Sequence, residues 1–508
     1  MALHDRPSSP VLASNRFGAP GVLTFGLAAA TPFPTAVTAL PAAYALGLPA
    51  VPLAFAILGL VLAIFSVGYV AMARRSPHAA ALSAFIARGL GRPAGVGSAW
   101  IALLSYNAVQ ISLYGLVGAA AEPMLRSWFG IDAPWWTVAL ACWLVVAVCG
   151  LARVEVVSGF LALLVIAEVA VLTGFAAADM FHPAPAGITT GPLDVTGLTG
   201  ADRPVLGLLL VTAALAFVGF ETIATYGEEA RRPRRALSRA AYGVVAVTTV
   251  LLVLAAWTAS IAAGSEHVTP AAVARGPELI FDLAAARLAP WGVTLGRVLL
   301  FTGLVAGLIA LHHTIARYLF ALGRERLLPA WLGRTSPRTL APQAASLTQS
   351  VIAAVVLSLC GYFRLGPETG LFHRLGVGGA LGILVLLLGA SLAALLFLNR
   401  HPDGENLLHR FVAPAVATVS LGTLAFLAYR NLPALLGVAP HDALVRTVPA
   451  VFGAELVLGM LYAIVLRGAR PVIYAGIGLG RTAVVVSPRV PQPRAPGAHR
   501  PGRVVTKS

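Results

Sequence analysis

The sequence predicts an all-α, polytopic membrane protein with about twelve transmembrane helices. Of its 508 residues, 58% are hydrophobic and only 11% are charged, whereas soluble domains carry roughly a quarter of charged residues. The apolar runs are long enough to cross a hydrocarbon layer about 30 Å thick, and too long for the strands of a membrane barrel. Because each spanning segment must satisfy its own backbone hydrogen bonds in lipid, these runs are predicted to be helices.

Twelve apolar stretches are predicted to span the membrane. They are residues 18–45, 49–73, 96–121, 135–152, 156–178, 204–226, 240–263, 291–320, 344–363, 376–398, 411–429 and 445–467. Residues 1–17 precede this transmembrane domain, which covers residues 18–467. Residues 468–508 follow as a basic, Pro- and Arg-rich tail that is predicted to be disordered and to attract anionic lipid.

The arginines predict the orientation in the membrane. The net charge of +16 does not indicate nucleic-acid binding, because the arginines are concentrated in the tail and in short segments between apolar runs. Alternate loops are rich in arginine, and such loops face the cytoplasm. With an even number of spans, the amino and carboxyl termini are therefore both predicted to be cytoplasmic.

The first predicted span contains Pro32 and Pro34 beside Thr31 and Thr35. A proline in a helix interior removes an N–H donor and clashes with the preceding turn, at a cost of about 3 kcal/mol. One proline usually produces only a kink, but two within three residues predict a local break in the helix.

The sixth predicted span holds Gly219 between Phe217 and Phe220, with Glu221 directly after them. A carboxylate well inside an apolar span costs about 2.5–3.5 kcal/mol and usually faces a bundle interior or a cavity. Glu221 is therefore a candidate site residue. The alternative is that it reaches water near a helix end or pairs with a neighbouring group.

The two interruptions lie five spans apart, which predicts a five-plus-five inverted repeat. The first repeat covers about residues 18–178, the second about 204–398, and two extra helices about 411–467. In such an arrangement the broken helices meet at mid-membrane, where exposed amides attract anionic groups and exposed carbonyls attract cationic ones. A site that offers both polarities fits a zwitterion.

The stretch GFETIATYGEEARRPRRALSRA, residues 219–240, resembles the sixth-helix signature of the amino acid–polyamine–organocation (APC) superfamily permeases. Residues 87–100 and 316–342 are also similar to these permeases, and the resemblance runs from about residue 18 to residue 467. It implies the five-plus-five core and secondary active transport by alternating access. The bacterial amino acid permeases of this superfamily lie in the cytoplasmic membrane, which is therefore the expected location.

The resemblance also implies a substrate site against the unwound parts of helices 1 and 6. The corresponding residues here are Ala29, Ala30, Thr31, Phe217, Gly219, Phe220 and Glu221. An aromatic ring at 217 or 220 would close over the substrate as a gate, or would only pack in the core. Many family members have a glycine-rich unwound segment in helix 1, where this chain has Ala-Ala-Ala-Thr-Pro-Phe-Pro, so fewer amides are available for a carboxylate.

Several polar residues inside predicted spans are further candidates. Some relatives are thought to use a helix 5 lysine for proton coupling, whereas this chain has Glu168 near the middle of that span. Burial favours the protonated carboxyl, so Glu168 is a candidate proton carrier, with Glu221 as the rival and a structural hydrogen bond as the alternative. Asn107 shares a helix face with Gln110 and is a candidate substrate contact, or both join helices. His312 and His313 are adjacent in one helix and point apart, so no metal site is predicted. No cofactor is predicted either.

The predicted function is proton-coupled transport of an amino acid or a related small amine, with sodium as the alternative coupling ion. A carrier of polyamines or other organic cations and an amino acid exchanger are the alternatives. An intramembrane enzyme is disfavoured because the chain has no HExxH motif and no extramembrane acceptor domain. A channel and a transporter-like sensor remain open, and flux measurements distinguish them.

Overall fold

The computed structural model describes residues 11–199 and 202–480, which are almost entirely helical. The α-helices in chain order are α1 Ala19–Ala30, α2 Pro32–Tyr44, α3 Val51–Arg75, α4 Ala81–Leu90, α5 Arg92–Phe129, α6 Trp135–Leu151, α7 Val154–Phe181, α8 Thr196–Thr199, α9 Arg203–Leu215, α10 Pro233–Ala263, α11 Val268–Arg275, α12 Leu279–Ala285, α13 Pro290–Arg324, α14 Gln343–Tyr362, α15 Gly376–Arg400, α16 Ala413–Arg430, α17 Leu432–Leu436, α18 Ala443–Ala469 and α19 Pro471–Gly476. Wider π-helical turns cover Pro367–Leu375 and Leu408–Val412.

The prediction of an all-helical, multi-pass membrane protein is confirmed. Within the described residues, eleven helical segments are long and apolar enough to cross a membrane. The remaining predicted span, 135–152, corresponds to α6, which has 17 residues and is the shortest of the set. Seventeen residues are the lower limit for crossing the hydrocarbon layer.

The first and sixth spans occupy different positions in the bundle from the last one. The spans differ in the buried fraction of one apolar stretch of 18 residues in each. It is 78% in Ala19–Tyr44 and 61% in Arg203–Tyr226, but only 11% in Ala443–Ala469. Helix α1 packs against α7, α10 and α13, whereas α18 packs mainly on α5. The two interrupted spans therefore lie inside the protein, and α18 lies at its edge.

The bundle has two ends that differ in charge. Helices α3 and α13 end, and α10 begins, at an end that we call the arginine-rich end, where Arg75, Arg324 and Arg234 lie. Residues 15–17 lie at the same end, because Phe17 pairs with Ala230 in a backbone bridge. We call the other end, where α2 finishes, the opposite end.

Residues 468–480 are folded, although the sequence placed them in a disordered tail. Helix α18 continues to Ala469, α19 follows, and the Gly478 N–H donates to the Glu325 carboxylate over 3.1 Å. Ile477 is only 5% exposed and packs in a small apolar cluster with Leu322 and Leu466. This apolar anchor explains why the ordered chain extends past 467. The rest of the predicted tail, residues 481–508, lies outside the described residues.

Candidate functional site

The predicted break in the first span is confirmed, and it lies at Thr31. Helix α1 ends at Ala30 and α2 begins at Pro32, with Thr31 between them in the left-handed region at φ 42°. Pro32 and Pro34 cannot donate to the carbonyls of Ala28 and Ala30 four residues earlier. The Ala30 carbonyl instead accepts from the Thr35 hydroxyl over 3.1 Å. The break thus leaves the Ala28 carbonyl without its helical donor.

The predicted break in the sixth span is confirmed as well. Helix α9 ends at Leu215, and residues Phe220–Tyr226 form a tighter 3-10 helix. Gly219 joins the two segments at φ 109°, a conformation that favours glycine. The carboxylate of Glu221 closes the turn by accepting from the Gly219 N–H over 2.9 Å.

The two breaks are in direct backbone contact. A methyl group placed on Gly219 would overlap with the carbonyl of Ala29 and the amide of Ala30. Gly307 of α13 similarly leaves room for the Thr31 side chain. Glycines at these positions let the first span, the sixth span and α13 approach each other closely. Gly303 and Gly307 form a GxxxG motif, which typically permits such close packing of helices.

A cavity of about 310 Å³ begins at the break in the first span. Ala29 and Thr31 lie at its base, and its wall continues along α2 as far as Leu46. It therefore runs from the middle of the bundle towards the opposite end. Helices α5, α9, α13, α15 and α17 and the turn Pro367–Leu375 supply the other walls.

The lining of this cavity is apolar with a few hydroxyl groups. Its polar side chains are Thr31, Thr35, Thr38, Ser112, Thr212 and His373. No Asp, Glu, Lys or Arg belongs to the described lining. Because an unpaired charge in an apolar cavity carries a large desolvation cost, the cavity favours a solute without net charge.

Most of the residues predicted for the site lie beside the cavity and do not line it. Ala29 and Thr31 contribute to the wall, whereas Ala30 is packed against Gly219. Phe217 and Phe220 are each 1% exposed and lie on the far side of the sixth span, where Phe220 meets Phe65 edge-to-face at 5.9 Å. In this conformation both rings pack in the core.

Glu221 is 1% exposed and is held by groups of the protein. Besides the Gly219 N–H, its carboxylate accepts from the Tyr106 hydroxyl over 3.1 Å. Its backbone carbonyl accepts from the Tyr69 hydroxyl, which also accepts from the Ala224 N–H. These contacts fix the geometry of the second break and direct the carboxylate away from the cavity.

Glu168 lies next to the first break. It is 2% exposed, and its carboxylate packs where a side chain on Gly303 would stand, with 2.8 Å between the hypothetical Cβ and the Glu168 Cδ. The Phe33 N–H, which follows the break, interacts with this carboxyl group. One of its oxygens, Oε2, has no hydrogen-bond partner. A buried carboxyl with one open oxygen is suited to holding a proton.

Asn107 joins helices in this conformation. Its side-chain oxygen accepts from Gln349 of α14 over 2.8 Å, and Gln349 also donates to Gln110. The His312 imidazole pairs with the Ser346 hydroxyl, and His313 lies beside Arg317. No cluster of three or more potential metal ligands occurs in the described part of the chain.

Five polar residues of the lining were not predicted as site residues: Thr35, Thr38, Ser112, Thr212 and His373. Part of the signal was present, because Thr31, Thr35, Thr38 and Ala42 recur at intervals of four, three and four residues. This spacing puts them on one face of a helix. The residues from α5, α9 and the turn before α15 carry no comparable pattern and come together only in the folded bundle.

The sequence of most of the chain matches one known family of membrane proteins. A family model described as amino acid permease matches residues 21–427. The chain belongs to the amino acid permease family. Its members are transporters and not enzymes, in agreement with the prediction.

Individual relatives match smaller parts of the chain. An uncharacterized transporter of Mycobacterium tuberculosis is 29% identical over 180 residues, which are 35% of this chain and 39% of the relative. The methylthioribose transporter of Bacillus subtilis is 21% identical over 222 residues, 44% of this chain and 45% of the relative. The chloroplastic cationic amino acid transporter 6 of Arabidopsis thaliana is 25% identical over 144 residues, 28% of this chain and 24% of the relative. The chain thus matches less than half the length of each of these curated relatives.

Proposed function

We propose that this permease is a secondary active carrier of a small solute without net charge, an amino acid zwitterion in the first place. The observation that carries the proposal is the cavity of about 310 Å³ that begins at the first break and has no charged side chain in its described lining. The Ala28 carbonyl, left without its helical donor by Pro32, directly precedes the lining residue Ala29, and we propose that it accepts from the ammonium group. The Thr31 hydroxyl, which lines the cavity and within the described residues contacts only the Thr35 hydroxyl, at 3.4 Å, then donates to the carboxylate.

The cavity argues against the alternative of a polyamine carrier. A multivalent cation needs carboxylates to offset its desolvation. Glu168 and Glu221, the two carboxylates buried beside the breaks, lie outside the lining. An uncharged solute is the second candidate, because the Bacillus relative is a methylthioribose transporter and hydroxyl groups on apolar walls also fit a sugar-like molecule.

The architecture that supports alternating access is a five-plus-five inverted repeat. When α6 is counted as the fourth span, the interrupted spans are the first and the sixth. In addition, the second span is followed by α4 at the arginine-rich end, and the seventh by α11 and α12 at the opposite end. Short helices that follow the equivalent span on opposite sides are what a repeat inverted across the membrane produces.

Uptake by purified protein in liposomes tests the proposal. With a pH gradient imposed, we expect accumulation of at least one labelled neutral amino acid, and no competition by putrescine. Protein-free liposomes are the control. Accumulation of methylthioribose alone would favour the second candidate, and accumulation of neither class of solute would contradict the carrier proposal.

The orientation is proposed to place the arginine-rich end in the cytoplasm of a bacterial cell, as the positive-inside rule requires. A Thr38→Cys variant, made after Cys142, Cys149 and Cys360 are replaced, is expected to react with a membrane-impermeant thiol reagent from the outside and to be protected by substrate. Ser83→Cys, buried at the arginine-rich end, is the matched control and should stay unreactive from outside. Labelling of Thr38→Cys only from the cytoplasmic side would reverse the orientation.

A further inference from the structure

A second, larger cavity of about 540 Å³ lies at the arginine-rich end, between the end of α3, the start of α10 and the loop after α15. Five arginines and two carboxylates line it: Arg74, Arg75, Arg234, Arg235, Arg239, Asp403 and Glu405. Five positive and two negative charges leave an excess of three positive charges. It shares no lining residue with the cavity at the first break.

The two carboxylates are both engaged by the same arginine. Arg75 lies 3.2 Å from Asp403 and 3.7 Å from Glu405, and it also donates to the carbonyls of His401 and Pro402. Arg75 thereby holds the loop that forms one wall of the cavity. Both carboxylates therefore pair with Arg75. The excess positive charge comes from the four other arginines of the cavity.

Three of these arginines have no counterion in the described part of the chain. Arg234, Arg235 and Arg239 are exposed, and no ion pair or side-chain hydrogen bond is made by any of them. Arg74 is the fourth, and it donates to the Ser238 hydroxyl over 2.8 Å. Four guanidinium groups around one concave space repel each other unless an anion lies between them.

The start of α10 adds to the positive potential. Its first turn contains no acidic residue and no side-chain cap, and it begins with Pro233. The amino end of a helix carries a partial positive charge, so arginines at this position are unfavourable without an anion nearby. Arg74 and Arg75, at the carboxyl end of α3, are by contrast placed where cations are favoured.

The surroundings of the cavity favour the headgroup of a lipid as the anion. Directly after Glu405, Leu407, Leu408 and Phe411 are 60%, 54% and 49% exposed, and the turn Leu408–Val412 packs against α3. On α10, Tyr242 is 40% exposed, as is typical of aromatic residues at a membrane interface. The basic cavity therefore opens beside exposed apolar side chains at the level of the lipid headgroups.

We propose that this cavity binds the phosphate headgroup of an anionic phospholipid, with the acyl chains against the apolar surface of 407–411. Guanidinium groups bind phosphate oxygens through paired, charge-assisted hydrogen bonds. Basic cavities between transmembrane helices on the cytoplasmic side bind anionic headgroups in this way. A free phosphate would use the same arginines but would leave the apolar surface uncovered.

Native mass spectrometry of the full chain released from nanodiscs tests this site. Wild-type protein is expected to retain phosphatidylglycerol and to exchange phosphatidylcholine freely. The variant Arg234→Gln/Arg235→Gln/Arg239→Gln should lower the retention of phosphatidylglycerol by on the order of 10- to 100-fold, because each of the three arginines strengthens the binding of an anionic headgroup. The matched control, Arg326→Gln/Arg334→Gln/Arg338→Gln, removes the same charge from exposed positions at the same end and should retain the lipid as wild type does.

Two outcomes would overturn the proposal. One is equal retention of phosphatidylglycerol by both triple variants, which would mean that the lipid responds to overall charge and not to this cavity. The other is a thermal stabilisation of detergent-purified wild type by millimolar inorganic phosphate equal to that by phosphatidylglycerol, which would assign the cavity to a soluble anion. The comparison with phosphate uses only wild-type protein, so this part of the test does not depend on the variants being stable.

Discussion

At the scale of single residues, two positions are most important for the helix breaks: Gly219 lies in the second break, and Glu168 lies beside the first. Gly219 permits the turn of the second break and the close contact with Ala29, and no other residue type satisfies both demands. Glu168 places a carboxyl beside the first break and against Gly303 of α13. Gly219 sets the geometry of the breaks, and Glu168 is the candidate proton carrier.

Gly219→Ala is expected to destabilise the protein by at least about 2 kcal/mol and to abolish uptake. The substitution places a Cβ at φ 109° and against the Ala29 carbonyl, so strain and overlap add. The melting temperature of the detergent-purified protein measures the effect. Gly174→Ala, where a Cβ meets nothing within 4 Å, is the control. Equal melting temperatures for the two variants would show that the close contact of the breaks is not required.

Glu168→Gln is expected to leave the protein folded and to remove the dependence of uptake on the pH gradient. The amide resembles the protonated carboxyl in size and polarity but cannot release a proton. Exchange of internal for external substrate should continue without the gradient, while accumulation falls at least about tenfold if the proton is the coupling ion. Glu455→Gln, in the peripheral helix α18, is the control. Wild-type accumulation by Glu168→Gln would exclude Glu168 as the coupling group.

At the scale of elements, the two interrupted spans use different means to break. In the first, two prolines remove the donors for two carbonyls, and Thr31 takes a left-handed conformation. In the second, a glycine turn is closed by the carboxylate of Glu221 and the chain continues as a 3-10 helix. The proline break leaves the Ala28 carbonyl without a helical donor beside the cavity wall, whereas the second break satisfies the Gly219 amide with the Glu221 carboxylate. We therefore propose the first break as the substrate contact.

Replacing Pro32 and Pro34 together by alanine should allow α1 and α2 to form a more continuous helix. We expect at least a tenfold loss of uptake with equal or higher thermal stability, because the penalty of about 3 kcal/mol that each proline imposes on a continuous helix is removed while the Ala28 carbonyl gains a helical donor. Pro52→Ala, in the first turn of α3, removes a buried proline outside the break and serves as control. Normal uptake by the double variant would show that an open Ala28 carbonyl is not needed.

At the scale of the whole molecule, the bundle has a cavity on one side of the breaks and a closed network of charges on the other. Glu228 pairs with Arg324 at 2.7 Å and Glu229 with Arg317 at 2.6 Å, and all four side chains are at most 2% exposed. These pairs tie the segment after the sixth span to the end of α13. Residues 477–480 cover the same region through the Glu325 carboxylate, which also pairs with His78. This conformation is closed at the arginine-rich end.

Arg324→Gln is expected to destabilise this conformation by about 3–5 kcal/mol, because Glu228 loses its principal counterion while it stays buried. The double variant Glu228→Gln/Arg324→Gln removes both charges and should recover more than half of that loss. Chemical denaturation in a double-mutant cycle with Glu228→Gln measures the coupling. If the two single substitutions changed the free energy of unfolding additively, the pairing of Glu228 with Arg324 would not stabilise this conformation.

How much of this structure was predictable depends on the range of the interactions. The spans, the two breaks and the charge asymmetry come from local properties, namely apolar length, proline and glycine placement, and arginine content, which act within a few residues. The fold of residues 468–480 was missed because the apolar run 472–479 is too short to be predicted as a span, and most of the residues that bury Ile477 come from distant helices, α5, α13 and α18.

The sequence by itself determined that the chain crosses a membrane many times and that its backbone is interrupted near Thr31 and near Gly219, because lipid penalises unpaired backbone groups and only prolines, glycines and polar residues at those points relieve the constraint. Only the tertiary structure decided which side chains surround the cavity. Phe217, Phe220 and Glu221 turn into the core, while Thr38, Ser112 and His373 come from three separate elements to line the space. Side-chain direction and the approach of distant helices depend on packing over the whole bundle, and adjacent positions in a sequence do not encode it.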